Sequence, residues 1–98
     1  MLGISVHAEA RRDIVRARDY LDREPPGRGE MFVEAVEATF DLIRNFPRIG
    51  KPLAGGYRRL TILGWDYFII FQHRGDCVRI FAVGHKRQRE DFWRARIV

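Results

Sequence analysis

Ala10, Ile14, Ala17 and Leu21 recur every three or four positions with arginine and aspartate between them. That stripe predicts an amphipathic helix. A short strand-like stretch, GISV (Gly3 to Val6), precedes it. Pro25 and Pro26 stop the helix, because the residue before a proline is pushed out of the α region, and Gly27 and Gly29 supply a turn. A second helix is predicted from about Glu30, with Phe32, Val36, Phe40 and Ile43 as its buried stripe and Pro47 closing it. Two helices joined by so short a loop should lie antiparallel as a hairpin.

From Gly55 onward the pattern changes to alternation or to continuous β-branched and aromatic residues, which marks strands. YRRLTIL (Tyr57 to Leu63), DYFIIFQH (Asp66 to His73) and CVRIFAV (Cys77 to Val83) read as a three-stranded antiparallel meander. Gly64 falls in the first connection. Gly75 and Asp76 in the second suit a tight hairpin turn, which accounts for the Arg74-Gly75-Asp76 sequence without an adhesion role. The segment REDFWRARI (Arg89 to Ile97) has room for one or two helical turns and brings Phe92 and Trp93 to an apolar surface. The expected class is α+β: a short N-terminal strand, a helical hairpin packed on one face of the meander, and a short C-terminal helical tail.

A chain of 98 residues, 46% hydrophobic and 32% charged, has the composition of an ordinary globule and room for one domain over 1–98. The longest apolar run, Phe68 to Phe71, falls far short of the roughly 20 residues of a membrane span. Lone Cys77 cannot form an internal disulfide and no secretory leader is evident, so a cytoplasmic protein is expected. His7, His73 and His85 lie far apart, with no helix-spaced pair for zinc, and the AGGY stretch lacks the spacing and the Lys-Ser/Thr of a nucleotide loop. No metal and no cofactor is expected. The net charge of +5 is unevenly placed: residues 1–50 carry eight arginines against nine acids, residues 51–98 ten cations against four. The C-terminal half therefore forms the electropositive face, suited to nucleic acid, phosphate-rich assemblies or an acidic protein segment unless it is merely solvated.

Four phrases in order, HAEARRDIVRARDYL, FDLIRNFPRIGKPL, GYRRLTILGWDYFIIFQ and VRIFAVGHKR, resemble the RelE/ParE superfamily of toxins from type II toxin–antitoxin pairs. FPRIGKPL, an Arg-led strand, YFIIF and VRIFAVGH are most similar to the ParE branch. The resemblance implies a compact toxin, of the kind tied to plasmid stabilization, silenced by an antitoxin whose partly acidic, disordered tail folds across the hairpin groove and the basic sheet face. It also implies one of two targets. RelE-like members cut messenger RNA on the ribosome, whereas ParE-like members inhibit DNA gyrase by binding it.

RNA cleavage through the 2′-hydroxyl needs a proton acceptor, a proton donor for the leaving oxygen, and cations on the phosphate. Arg59, Arg79, His85 and Lys86 form the candidate set for a nuclease. Against it, His85 has no neighbouring carboxylate to orient it and can equally line a strand end. Where many RelE-like nucleases carry a tyrosine, this chain offers Phe92 and Trp93, which exchange no proton. The expected reading is a binding toxin without a catalytic centre. Its target-binding residues would be Lys51 in the loop before the sheet, Arg58, Arg59, Arg79, His85, Lys86, Arg87 and Arg89, with Phe92 and Trp93 anchoring the tail. Alternation puts Arg58 and Arg59 on opposite faces, so one of them at most enters any one groove. A third possibility is an inactive toxin relative kept as a binding module.

Overall fold

The computed structural model describes residues 2–23 and 25–97. Strand β1 (Gly3–Val6) leads to helices α1 (Ala8–Leu21) and α2 (Arg28–Asn45), followed by β2 (Lys51–Pro52), β3 (Tyr57–Thr61), β4 (Tyr67–Arg74) and β5 (Cys77–His85). Short 3₁₀ turns cover Ala54–Gly56 and Arg94–Ile97. The five strands form one sheet in the order β1-β5-β4-β3-β2, with β1 parallel to β5 and every other pair antiparallel.

Local chemistry sets the hairpin. His7 caps α1, its Nδ1 accepting from the Glu9 amide at 3.0 Å. Asp22 follows α1, and its Oδ1 accepts from the amides of Gly27 (2.7 Å) and Gly29 (3.2 Å). That carboxylate satisfies donors at the opening of α2 and starts the helix at Arg28, two residues before the expected Glu30. Gly29 is required where the helices meet, since a Cβ there would lie 2.4 Å from the Arg18 carbonyl oxygen.

The meander proves to be the centre of a wider sheet. Lys51, expected in a loop, opens the edge strand β2, paired with Arg59, while Pro52 pairs with Arg58. A two-residue strand shows no periodicity, and Pro52, lacking an amide hydrogen, is tolerated only at an edge. Strand β3 ends at Thr61 instead of Leu63: the Ile62 amide donates to the Tyr67 carbonyl at 2.9 Å, burying Ile62 and leaving Leu63 at the exposed tip.

Both faces of the sheet are covered. On one, Phe32, Val36 and Ile43 of α2 and Ala10 and Ala17 of α1 pack on Ile69, Phe71, Val78, Ile80 and Val83. On the other, the C-terminal segment lays Trp93, with Phe92 and Ile97, over Tyr57, Phe68, Ile70, Phe81 and Ala82. Strand β4 is thus apolar on both sides, which is why YFIIF runs continuously instead of alternating. A bulge re-phases β5. Ile70 pairs with Ala82 and Phe71 with Ile80, leaving Phe81 as the extra residue. Ile80 and Val83 then face the helices, while Phe81 and Ala82 face the tail.

Candidate functional site

The sheet's register decides where the cations point. Lys51 and Arg59 are direct partners across β2 and β3, so both project from the same face, the one the tail covers. Like charges in that relation repel. Glu90 of the tail lies between them, its Oε1 3.4 Å from Arg59 Nη1 and 3.6 Å from Lys51 Nζ. The Arg59 guanidinium rests on the Phe68 ring with Cζ 4.1 Å from the centroid, and its Nε is buried without a hydrogen-bond partner. Arg58, one residue earlier, faces the helix side and donates to the Gly50 carbonyl at 3.1 Å.

Arg79 also faces the tail side, on β5 beside the edge strand β1. It donates to Ser5 Oγ at 3.1 Å and lies 5.6 Å from the Phe81 centroid. The apolar cluster under Trp93 occupies the face between Arg79 and Arg59. Arg59 and Arg79 therefore do not meet in one open groove, because the chain's own tail fills the face between them. Trp93 is wholly buried and its Nε1 donates to the Glu90 carbonyl at 2.6 Å. Phe92 is half-buried against Phe68, and the tail's helical part is the single 3₁₀ turn after them.

His85 closes β5 opposite Tyr67 and turns to the helix side, its ring edge-on to Tyr67 with centroids 4.9 Å apart. Its Nδ1 accepts from the Arg87 amide at 3.1 Å. Lys86 pairs with Asp66 at 3.1 Å, and Arg89 with Asp91 at 3.4 Å. The nuclease set is thus divided: Arg59 and Lys86 lie together, His85 turns to the helix side, and Arg79 stands across the sheet. Arg59 and Lys86 share a hollow of about 200 Å³ with Thr61, Asp66 and Tyr67. His85 and Arg87 line a second, of about 260 Å³, with Tyr20 and Tyr67. Arg79 joins neither.

Burial is the main cause that pushes the Tyr67 phenol above its ordinary value of 10.0. Tyr20 and Asp66 push the same way, and Arg28 opposes them. The protonated phenol is therefore favoured, and its ring packs against Phe32 and His85. Among the described residues no cluster of three or more histidine, cysteine, aspartate or glutamate side chains is placed to hold a metal ion, and no helix is long and apolar enough to cross a membrane.

Sequence reasoning missed an aromatic and cationic patch at the loop end of the hairpin. Tyr20 is exposed on α1, and the Arg28 guanidinium sits 5.2 Å from the Trp65 centroid. Pro25, Pro26, Met31 and Gly64 complete a hollow of about 510 Å³ beside them. One signal was available: Tyr20 is a large aromatic on the polar face of an amphipathic helix. Trp65, in the β3–β4 connection, gave none. Glu90 was also missed, because its role depends on strand register and on the path of the tail together.

Residues 4–90 match the family model described as the ParE toxin of the type II toxin–antitoxin system parDE. A solved chain from the chromosomal ParDE toxin–antitoxin system of P. aeruginosa superposes with a TM-score of 0.78 at 18% identity, covering 87% of this chain and 96% of that one. The isolated E. coli RelE toxin superposes over the whole of both chains with a TM-score of 0.58 at 15% identity. No curated protein sequence matches the chain. The two helices on a mostly antiparallel sheet are the RelE/ParE fold, and with a family match across most of its length the chain belongs to the ParE toxin family of type II toxin–antitoxin systems.

Proposed function

We propose that the protein inhibits growth by binding DNA gyrase, without a catalytic step of its own, and is neutralised by a cognate antitoxin with an acidic segment. The observation that carries the reading is the division of the proton-transfer and phosphate-binding candidates. An endoribonuclease needs its acid, base and cations around one phosphate. Here the wholly buried Trp93 and its apolar neighbours stand between Arg59 and Arg79, while His85 turns to Tyr67 on the other side of the sheet. What remains exposed suits recognition: Lys86, Arg87 and Arg89 beyond β5, and the Tyr20–Arg28–Trp65 patch at the hairpin end. Aromatic side chains with arginine are the residue types that dominate protein interfaces. A protein target therefore fits this surface better than a reacting nucleic acid.

Induction of the chain alone, with gyrase supercoiling and ribosome-bound messenger followed in parallel, tests this. Growth arrest with loss of supercoiling and intact messenger is the expected outcome. Messenger cleavage by the purified chain on ribosomes would transfer the protein to the RelE-like nuclease class, and no arrest at all would mark an inactive binding module.

A further inference from the structure

Two cations held directly opposite each other on neighbouring strands form an unfavourable arrangement unless an anion sits between them. Lys51 and Arg59 are such a pair, and their anion comes from a distant part of the chain, Glu90 in the turn after β5. We infer that the Lys51–Arg59 pair is a docking point for one carboxylate of an acidic segment on a partner protein, and that Glu90 is its built-in occupant, displaced when the partner binds. This rests on the reading of the chain as a toxin that works through protein partners.

Three features of the site support exchange. Both contacts to Glu90 are long, 3.4 and 3.6 Å, and the glutamate side chain is 45% exposed, so the internal pair is a weak one. One of the two cations is built more firmly than the anion. Arg59 is only 28% exposed, is stacked on Phe68 and keeps its Nε buried, so it presents a fixed edge instead of a mobile head. The turn carrying Glu90 has an anchor of its own, the Trp93 indole donating to the Glu90 carbonyl, so the carboxylate can swing away without unseating the tail.

The geometry also selects the ligand. A carboxylate on a flexible side chain can reach a guanidinium of which only an edge is open, and it replaces Glu90 charge for charge. An acidic protein segment is therefore the favoured occupant over a nucleic-acid strand.

The test measures binding of the full chain to poly-L-glutamate and, separately, to single-stranded oligothymidylate at matched charge and low salt, where exposed ion pairs are least screened. Glu90→Gln should bind poly-L-glutamate about two- to fivefold more tightly than the parent chain, the range an exposed ion pair supports. Adding Lys51→Gln should abolish that gain. Lys51 and Glu90 are both exposed, so unchanged melting of the variants confirms that the fold is intact; Lys51→Gln alone, which should weaken poly-L-glutamate binding, is the second measure if Glu90→Gln misfolds. No gain in Glu90→Gln, or a gain that survives Lys51→Gln, overturns the inference. A larger gain for oligothymidylate than for poly-L-glutamate overturns the choice of ligand. Growth arrest is read separately: its absence would sink the toxin reading and leave the Glu90 measurement standing, whereas arrest with no gain would do the reverse.

Discussion

Arg96 in the last turn of the chain grips Asp13 in the first helix with both terminal nitrogens, at 2.6 and 2.9 Å. The pair stands where β1 has ended and the outer edge of β5 would lie bare. Asp13 Oδ2 accepts from the Val83 amide at 3.0 Å, and Arg96 donates to the Phe81 carbonyl at 3.1 Å. Two side chains thus replace the missing strand, which closes an edge otherwise open to pairing. Their burial leaves little water to compensate either partner.

Asp13→Ala is expected to destabilise the protein by about 3–5 kcal/mol, since it strands Arg96 and the Val83 amide together. Arg96→Ala should cost less, about 1.5–3 kcal/mol, because Asp13 keeps Arg16 at 2.8 Å and the Val83 amide. Urea unfolding of both single variants and the double variant measures this. A double variant whose loss equals the sum of the singles would show that the two residues act independently.

Gly84 marks the closest approach of the tail to the sheet. A Cβ at this position would lie 2.6 Å from the Phe92 ring and 2.8 Å from Phe68. Gly84→Ala should push Phe92 outward at a cost of about 1–3 kcal/mol. Fluorescence in a Trp65→Phe background reports on Trp93 alone and should shift toward the solvated range. An unshifted spectrum with unchanged stability would mean that the tail is not packed there.

The Tyr67 phenol, held above 10.0 mainly by burial, makes stability fall at alkaline pH. Below about pH 10 folded and unfolded chains both keep the proton and the contribution is complete. As pH rises through 10, the unfolded chain releases its proton first, and stability drops until the folded phenol titrates as well. Tyr67→Phe should remove that part of the alkaline loss. An alkaline slope identical in parent and variant would rule out Tyr67 as its source.

Much of this architecture is legible in the sequence because it rests on period. The Phe32, Val36 and Ile43 stripe placed α2, and the unbroken YFIIF run marked a strand, although the cover on its second face appears only in the structure. What escaped has no period. A two-residue edge strand and a one-residue bulge at Phe81 leave no repeating signal, yet the bulge decides which side chains of β5 face the tail. The Asp13–Arg96 clasp joins positions 83 apart, and each residue alone reads as a surface charge. For the site, residue types were readable and grouping was not: Arg59 and Arg79 look equivalent along the chain, but the tail stands between them.

Lys86, Arg87 and Arg89 extend beyond β5 and are exposed, two of them in surface ion pairs with Asp66 and Asp91. Replacing all three with glutamine should change stability by no more than about 0.5 kcal/mol each. Growth inhibition and gyrase binding should fall markedly. Undiminished inhibition would move the functional surface to the hairpin end, around Tyr20 and Trp65.

His85→Gln separates binding from catalysis at one residue. The His85 Nδ1 accepts from the Arg87 amide and its ring packs edge-on against Tyr67. Glutamine keeps the polarity and approximate size of the side chain, enough to hold the contact with Tyr67, but it cannot exchange a proton near neutral pH. A toxin acting by binding should therefore keep most of its effect, with at most a modest loss from altered packing. A nuclease relying on His85 should lose about 10²- to 10⁴-fold in rate. The measurement pairs growth arrest with messenger integrity on ribosomes, for the parent chain and for His85→Gln at equal expression and equal melting temperature. Retained arrest with uncut messenger is the expected result. Loss of arrest in the variant, together with cleavage by the parent chain, would show that proton transfer at His85 carries the activity despite its distance from Arg79.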